Sequence, residues 1–378
     1  MNRFRPSTLA LLSLLALSAC SRTTAGSVAA ETDRPAPVAS TATPAERPRN
    51  VIFIIGDGMG TAQVYSSIVN QGGNRSQFLR FPYTGFSRTY SANRYTTDSG
   101  AGGTALLCGQ KIDNQAVGYT PEGQACPSLL VTAHERGLAT GFVVTSSVLD
   151  ATPASTYAHV PHRKMFDTIS MQMAHAPFDL MIGGDRNHFL PRHRHDGLAP
   201  LDTLRQRGYT LALTLAELQK VAHTPLCALL TPDDPSMAGV RDPLLTEGVS
   251  KALALLPDSS HGFMLMIEGS QIDWACHNND TAYLRQELND FEQMLRLVLD
   301  YAQADGQTLV VVTADHETGG TTLLTGDIAG RQNTIHFVTE GHTGIMVPVF
   351  AFGPGAHLFS GIQENTDVYR KVKQLLLD

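Results

Sequence analysis

Residues 50–55, NVIFII, form a continuous run that is apolar at every position after Asn50 and rich in β-branched side chains. A strand with one face in water alternates apolar and polar residues, so a run that is apolar at every position suits a strand covered on both faces. Comparable runs recur at 139–144, 180–182, 262–267, 308–313 and 347–352. Between them lie stretches of helical period, as at 242–256 and 281–304. Strands alternating with helices predict an α/β fold, a central and mostly parallel sheet sandwiched by helices. The composition, 42% hydrophobic and 17% charged over 378 residues, is that of a globular chain with room for a large core. With 28 Lys+Arg against 35 Asp+Glu and no basic run, no nucleic-acid binding is expected.

The first residues read as an address. Arg3 and Arg5 precede an apolar stretch at 9–17, too short for the roughly 20 residues of a spanning helix. The stretch ends Leu17-Ser18-Ala19-Cys20, which resembles a bacterial lipobox and implies cleavage before Cys20 with lipid on its thiol. The organisation expected is a lipoprotein signal peptide at 1–19, a lipid-anchored tether at 20–48, and a catalytic domain at 49–378. The tether, rich in Ala, Ser, Thr and Pro, has too few large apolar groups to offset its ordering entropy. Export places the protein outside the cytoplasm, on the periplasmic side or at the cell surface.

In open α/β sheets function collects at the carboxyl ends of strands. Here those ends carry acids and imidazoles. The first apolar run passes into Gly56-Asp57-Gly58-Met59-Gly60, the 262–267 run into Glu268 with Asp273 and His277 close behind, and the 308–313 run into Ala314-Asp315-His316. His342 lies just before the last run, in Gly341-His342-Thr343-Gly344. Any one of these could be a turn or a helix cap. Together they bring several carboxylates to one rim, where they repel unless a cation lies between them. Mixed His and Asp ligands suit zinc, whereas carboxylates with a hydroxyl suit magnesium. The nucleophile candidate is Ser99 in Thr97-Asp98-Ser99-Gly100-Ala101-Gly102-Gly103. Its small neighbours allow close backbone approach at a helix N-terminus that favours an anion. No Gly-x-Ser-x-Gly elbow is present, so activation by a metal replaces a histidine base.

Asp57-Gly58-Met59-Gly60, Thr97-Asp98-Ser99, Asp150-Ala151-Thr152-Pro153, Arg163, Glu268-Gly269-Ser270, Asp273, His277, Thr313-Ala314-Asp315-His316 and Gly341-His342-Thr343 follow in this order. Order and approximate spacing resemble those of the alkaline phosphatases, from about residue 50 to the C-terminus. The resemblance implies two Zn2+ and one Mg2+ per chain. One zinc would be held by Asp273, His277 and His342, the second by Asp57, Asp315 and His316, and the magnesium by Asp57, Thr152 and Glu268. Asp150 matches a position that holds a magnesium-bound water. Ser99 would be the nucleophile and Arg163 the phosphate clamp, its planar fork matching two phosphoryl oxygens. The implied reaction is hydrolysis of small phosphomonoesters through a phosphoserine, with an alkaline optimum. Two other readings compete: phosphodiester or sulfate-ester hydrolysis within the same superfamily, and a non-catalytic phosphate-binding lipoprotein.

The chain departs from the family in places. Trp274 follows Asp273 where some members carry lysine, so phosphate should be held less electrostatically. Only 25 residues separate His316 from His342, which implies a reduced crown insertion and leaves homodimerisation open. His188, His193 and His195 read as a solvated loop near the rim, and Cys276 as packing. For an oxidising compartment the cysteines offer two pairings, Cys108 with Cys126 and Cys227 with Cys276.

Overall fold

The computed structural model describes residues 47–378. The signal peptide, Cys20 and nearly all of the tether lie outside the described residues. Ten strands form one sheet, ordered Gly361–Glu364, Tyr83–Arg88, Val347–Phe352, Thr308–Thr313, Asn50–Gly56, Phe263–Gly269, Ala139–Ser147, Leu180–Gly184, Leu226–Leu229 and Thr210–Ala212. Pairing is parallel except around Val347–Phe352, which runs antiparallel to both of its neighbours. The mostly parallel α/β sandwich expected from the apolar runs is the fold observed.

The unbroken run at the centre has a simple cause. Val51, Phe53 and Ile55 face one helical layer, and Ile52 and Ile54 face the other, all of them fully buried. The first layer brings Leu106, Leu129, Ile169 and Val368, and the second brings Leu245, Leu284, Leu295 and Val298. Each such side chain contributes roughly 1.5–3 kcal/mol of burial, so neither face tolerates a polar position. The helices expected at 242–256 and 281–304 appear as Leu244–Leu255 and Thr281–Asp305.

Register is what aligns the site. Ile55 stands level with Glu268 on one side and with Thr313 on the other. Asp57, Glu268 and Asp315 therefore emerge at one end of three adjacent strands. The short stretch between His316 and His342 holds a hairpin, Thr322–Asp327 with Gln332–His336, and a small pair of strands, Glu317–Thr318 with His342–Thr343.

The cysteine pairings are corrected by the layers. Cys227 faces one side of the sheet and Cys276 the other, so the sheet itself separates them. Cys108 and Cys126 share a layer, yet they too are free thiols. Cys276 is fully buried, as packing requires. His188, His193 and His195 line a surface cavity of about 320 Å³ with Lys164.

Candidate active site

Asp57 sits in the turn that leaves the central strand. Gly58 adopts φ +70°, and a Cβ there would lie 2.7 Å from Thr318 Oγ1 and 2.9 Å from the Asp273 Cα, so only glycine lets these segments meet. Ser99 opens the buried helix Ser99–Cys108, whose N-cap is Asp98: its Oδ1 accepts from the Ala101 N–H at 3.0 Å. A Cβ on Gly102 would stand 2.9 Å from the Asp315 carbonyl oxygen, so the small residues after Ser99 bring the helix against the Asp315 segment. Thr152 lies in the short helix Ala151–Ala154, capped by Asp150. Arg163 is pinned by two acids, with Nη2 2.8 Å from Asp150 Oδ1 and Nη1 3.5 Å from Asp98 Oδ2. Asp150 and Asp98 hold its charge more firmly than burial discourages it, so the guanidinium stays protonated.

Three histidines converge, and their hydrogen bonds fix where their lone pairs point. His342 Nδ1 lies 2.9 Å from the Thr97 carbonyl, and His277 Nδ1 contacts the Glu340 carbonyl. Carbonyls only accept, so both Nδ1 atoms carry the proton. Thr318 spends its hydroxyl hydrogen on Asp273 Oδ1, so at 3.2 Å from His316 Nδ1 it accepts. In the neutral rings each Nε2 is then a lone pair aimed into the site, and a proton taken up by His277 Nε2 is shared with Asp273. His277 Nε2 and His342 Nε2 stand 3.0 Å apart, with Asp273 Oδ2 3.2 Å from the former and Asp273 Oδ1 3.6 Å from the latter. His316 Nε2 faces Asp315 Oδ2 at 3.3 Å, Asp57 Oδ1 at 3.4 Å and Ser99 Oγ at 3.3 Å.

Lone pairs facing lone pairs and carboxylates at such distances need a proton or a cation between them. The ligand atoms of Asp273, His277 and His342 lie within 4.8 Å of one another, as do those of Asp57, Asp273 and His316. Two of the oxygens just named and two more make the same case. Asp57 Oδ1, Asp315 Oδ2, Glu268 Oε2 and Thr152 Oγ1 are buried without a hydrogen-bond partner. Burial, with the Asp315 and Asp273 charges close by, pushes the Asp57 carboxyl well up. Burial and Asp150 do the same to Glu268, and burial with Asp273 raises Asp315 to about 7. Asp273 goes the other way: burial would raise it, but the bond to His277 and the imidazoles of His316 and His342 bring it below the usual carboxylate range. His277 is raised by that same bond. Burial and the neighbouring His342 push His316 well down, which makes it a poor base for Ser99 despite their contact.

Every residue singled out for the site is thus brought to one rim. Asp98 as the partner of Arg163, Thr318 as the link between Asp273 and His316, and the carbonyls of Thr97 and Glu340 carried no separate signal. A backbone carbonyl has no residue type, and an N-cap Asp reads the same whether or not it also holds an arginine.

An α/β sheet with this cluster at its carboxyl edge defines a metal-binding hydrolase with a serine nucleophile candidate. The alkaline phosphatase family model matches residues 48–334 and 324–377. Alkaline phosphatase 4 of Bacillus subtilis is 32% identical over 403 residues, covering 84% of this chain and 87% of that protein. Streptomycin-6-phosphate phosphatase of Streptomyces griseus is 30% identical over 421 residues, covering 90% of this chain and 94% of its own. The structure of alkaline phosphatase from the Antarctic bacterium TAB5 superposes with a TM-score of 0.82 at 35% identity, over 87% of this chain and 98% of that one. The chain belongs to the alkaline phosphatase family. It is an enzyme that hydrolyses phosphate monoesters.

Proposed function

We propose that hydrolysis proceeds by double displacement through Ser99 at a site for two zinc ions and one magnesium ion. The observation that carries this is the convergence of three imidazole lone pairs and the orphaned Asp57 and Asp315 oxygens beside Ser99 Oγ. Asp273, His277 and His342 form one nitrogen–oxygen set, and Asp57, Asp315 and His316 a second, both suited to zinc. Asp57, Thr152 and Glu268 form an all-oxygen set suited to magnesium. A variant of the TAB5 enzyme with Mg bound in its M3 site supports a third ion of this kind. Bound there, the ions supply Lewis-acid charge for the entering and leaving oxygens and lower the pKa of the Ser99 hydroxyl.

The chain's own groups do the rest. Arg163, braced by Asp98 and Asp150, offers two parallel N–H groups to the phosphoryl oxygens. Ser99 Oγ, at the positive end of its helix, forms a bond to phosphorus as the ester O–P bond breaks. The departing oxygen takes that electron pair and a proton, giving the alcohol. Water then displaces Ser99 Oγ from phosphorus, which restores the hydroxyl and releases inorganic phosphate.

p-Nitrophenyl phosphate turnover at alkaline pH tests the reading. Monoester cleavage lost on chelation and in Ser99→Ala supports it; faster cleavage of bis-p-nitrophenyl phosphate refutes monoester preference. We also propose export and anchoring through lipid on Cys20, supported by the sequence at 17–20. Among the described residues no helix is long and apolar enough to cross a membrane. Cys20→Ser should move the protein from the membrane fraction to the soluble one, and retention in the membrane fraction refutes the anchor.

A further inference from the structure

Next to the ligand candidate His316 stands Glu317, a buried carboxylate bonded to Gln63, Thr321 and Thr343 rather than to any of the candidate ligands. Its Oε1 accepts from Gln63 Nε2 at 3.0 Å and from the Thr321 N–H at 2.9 Å, and its Oε2 accepts from Thr343 Oγ1. Burying a carboxylate costs several kcal/mol unless its oxygens are hydrogen-bonded, and an apolar side chain would pack there more cheaply. What the carboxylate adds is geometry: two acceptor oxygens that fix donors from different segments at once.

Those segments are the ones that carry the cluster. Gln63 lies in the helix Thr61–Asn70 that opens just after Asp57, and its Nε2 also reaches the Thr318 carbonyl at 2.9 Å. A Cβ on Gly60 would stand 2.4 Å from Glu317 Cγ, so the turn leaving Asp57 is pressed against the Glu317 stem. Thr343 directly follows His342 and pairs with Glu317 across the small strand pair. One carboxylate therefore links the turn of Asp57, the strand end of His316 and the strand of His342.

We propose that Glu317 is a positioning residue: it holds the segments of Asp57, His316 and His342 at fixed separation and sets metal affinity without touching metal or substrate. The proposal rests on the reading that these residues hold metal ions. Losing a partner that orients metal ligands lowers affinity by about 10- to 100-fold. Glu317→Ala in the full-length chain should weaken zinc binding by about that factor, measured by competition with a chromophoric chelator. Its kcat should fall at least about tenfold with KM within about twofold, as expected when ligand geometry rather than substrate binding is lost. Glu317→Gln should stay within about threefold of the parent, because its carbonyl can serve Gln63 and Thr321 while the Thr343 hydroxyl turns to accept from the amide. Glu292 is the control: another buried carboxylate, accepting from Ser67 farther along the Thr61–Asn70 helix, from Ser76 and from the Gln77 N–H, and so bonded to neither the His316 nor the His342 segment. Glu292→Gln should lower the melting temperature and leave zinc affinity unchanged. If Glu317→Ala does not fold, Thr343→Val keeps the β-branched shape, removes only the donor to Oε2, and should weaken zinc by threefold or more. Zinc affinity and kcat unchanged in Glu317→Ala, or in Thr343→Val where it must stand in, overturn the proposal while leaving the metal site intact. A parent chain that takes up no zinc overturns both.

Discussion

Stripping the metals should make the fold sensitive to alkali, by an amount the site itself sets. Burial, with the Asp273 charge beside it, raises the Asp315 carboxyl from its usual 3.8 to about 7. An acid whose folded pKa exceeds its unfolded one binds more protons in the folded state. Its penalty is absent below about pH 4, grows with pH, and is complete above about pH 7. At about 1.4 kcal/mol per pH decade, Asp315 alone costs the metal-free fold about 4 kcal/mol at pH 8.5 and about 1.5 kcal/mol at pH 5. Asp57 and Glu268, also pushed well up by burial, add in the same direction. His316 opposes them: burial lowers its pKa, so it penalises the fold as pH falls below about 6.5. Three carboxylates outweigh one imidazole, so metal-free protein should be less stable at pH 8.5 than at pH 5. Thermal melts of the full chain with and without chelator, at both pH values, measure this. The chelator should lower the melting temperature by several degrees more at pH 8.5. Asp315→Asn should remove much of the penalty, because Asn keeps the Oδ1 that accepts from the His316 N–H at 3.0 Å. In chelator at pH 8.5 that variant should melt above the parent. A chelator effect equal at the two pH values, or an Asp315→Asn variant melting below the parent, refutes the reasoning.

Ser99→Ala removes the attacking oxygen and should reduce monoester turnover by at least about a thousandfold while phosphate still binds; turnover within tenfold of the parent would exclude Ser99 as nucleophile. Asp98→Asn keeps the helix cap but turns an amide toward the Gln115 N–H and Nε2, at 2.9 and 3.1 Å from the present Oδ2. It should cost about 1–3 kcal/mol of stability and weaken competitive inhibition by phosphate several-fold as Arg163 loses one brace, and an unchanged inhibition constant would mean that Asp150 alone suffices. Trp274 is partly buried against the second core layer. Trp274→Lys should lose stability from that packing yet strengthen phosphate inhibition several-fold; unchanged inhibition would assign the tryptophan to packing alone.

How far a sequence can be read here depends on what a residue must satisfy. The central strands were legible because both faces demand apolar side chains at every position, and residues 308–313 and 347–352 are strands with those very bounds. Gly361–Glu364 at one edge of the sheet and Tyr83–Arg88 beside it were not, since strands half in water need few apolar residues, and Thr210–Ala212 at the other edge is three residues long. The ligand cluster was legible for the opposite reason. Acids and imidazoles placed right after buried strands are costly unless something binds them, so their side chains betray the site. What orients them is spread over side chains with several ordinary uses and over carbonyls that any residue supplies. Thr318 looks like a strand residue, yet its single hydroxyl determines the tautomer of His316 by donating to Asp273. Glu317 looks like a solvated acid beside a ligand, yet it is buried and joins three segments far apart in sequence. These partners are chosen by the fold's register rather than by local pattern. The sequence therefore reveals which atoms could bind metal, and the structure reveals what holds them in place.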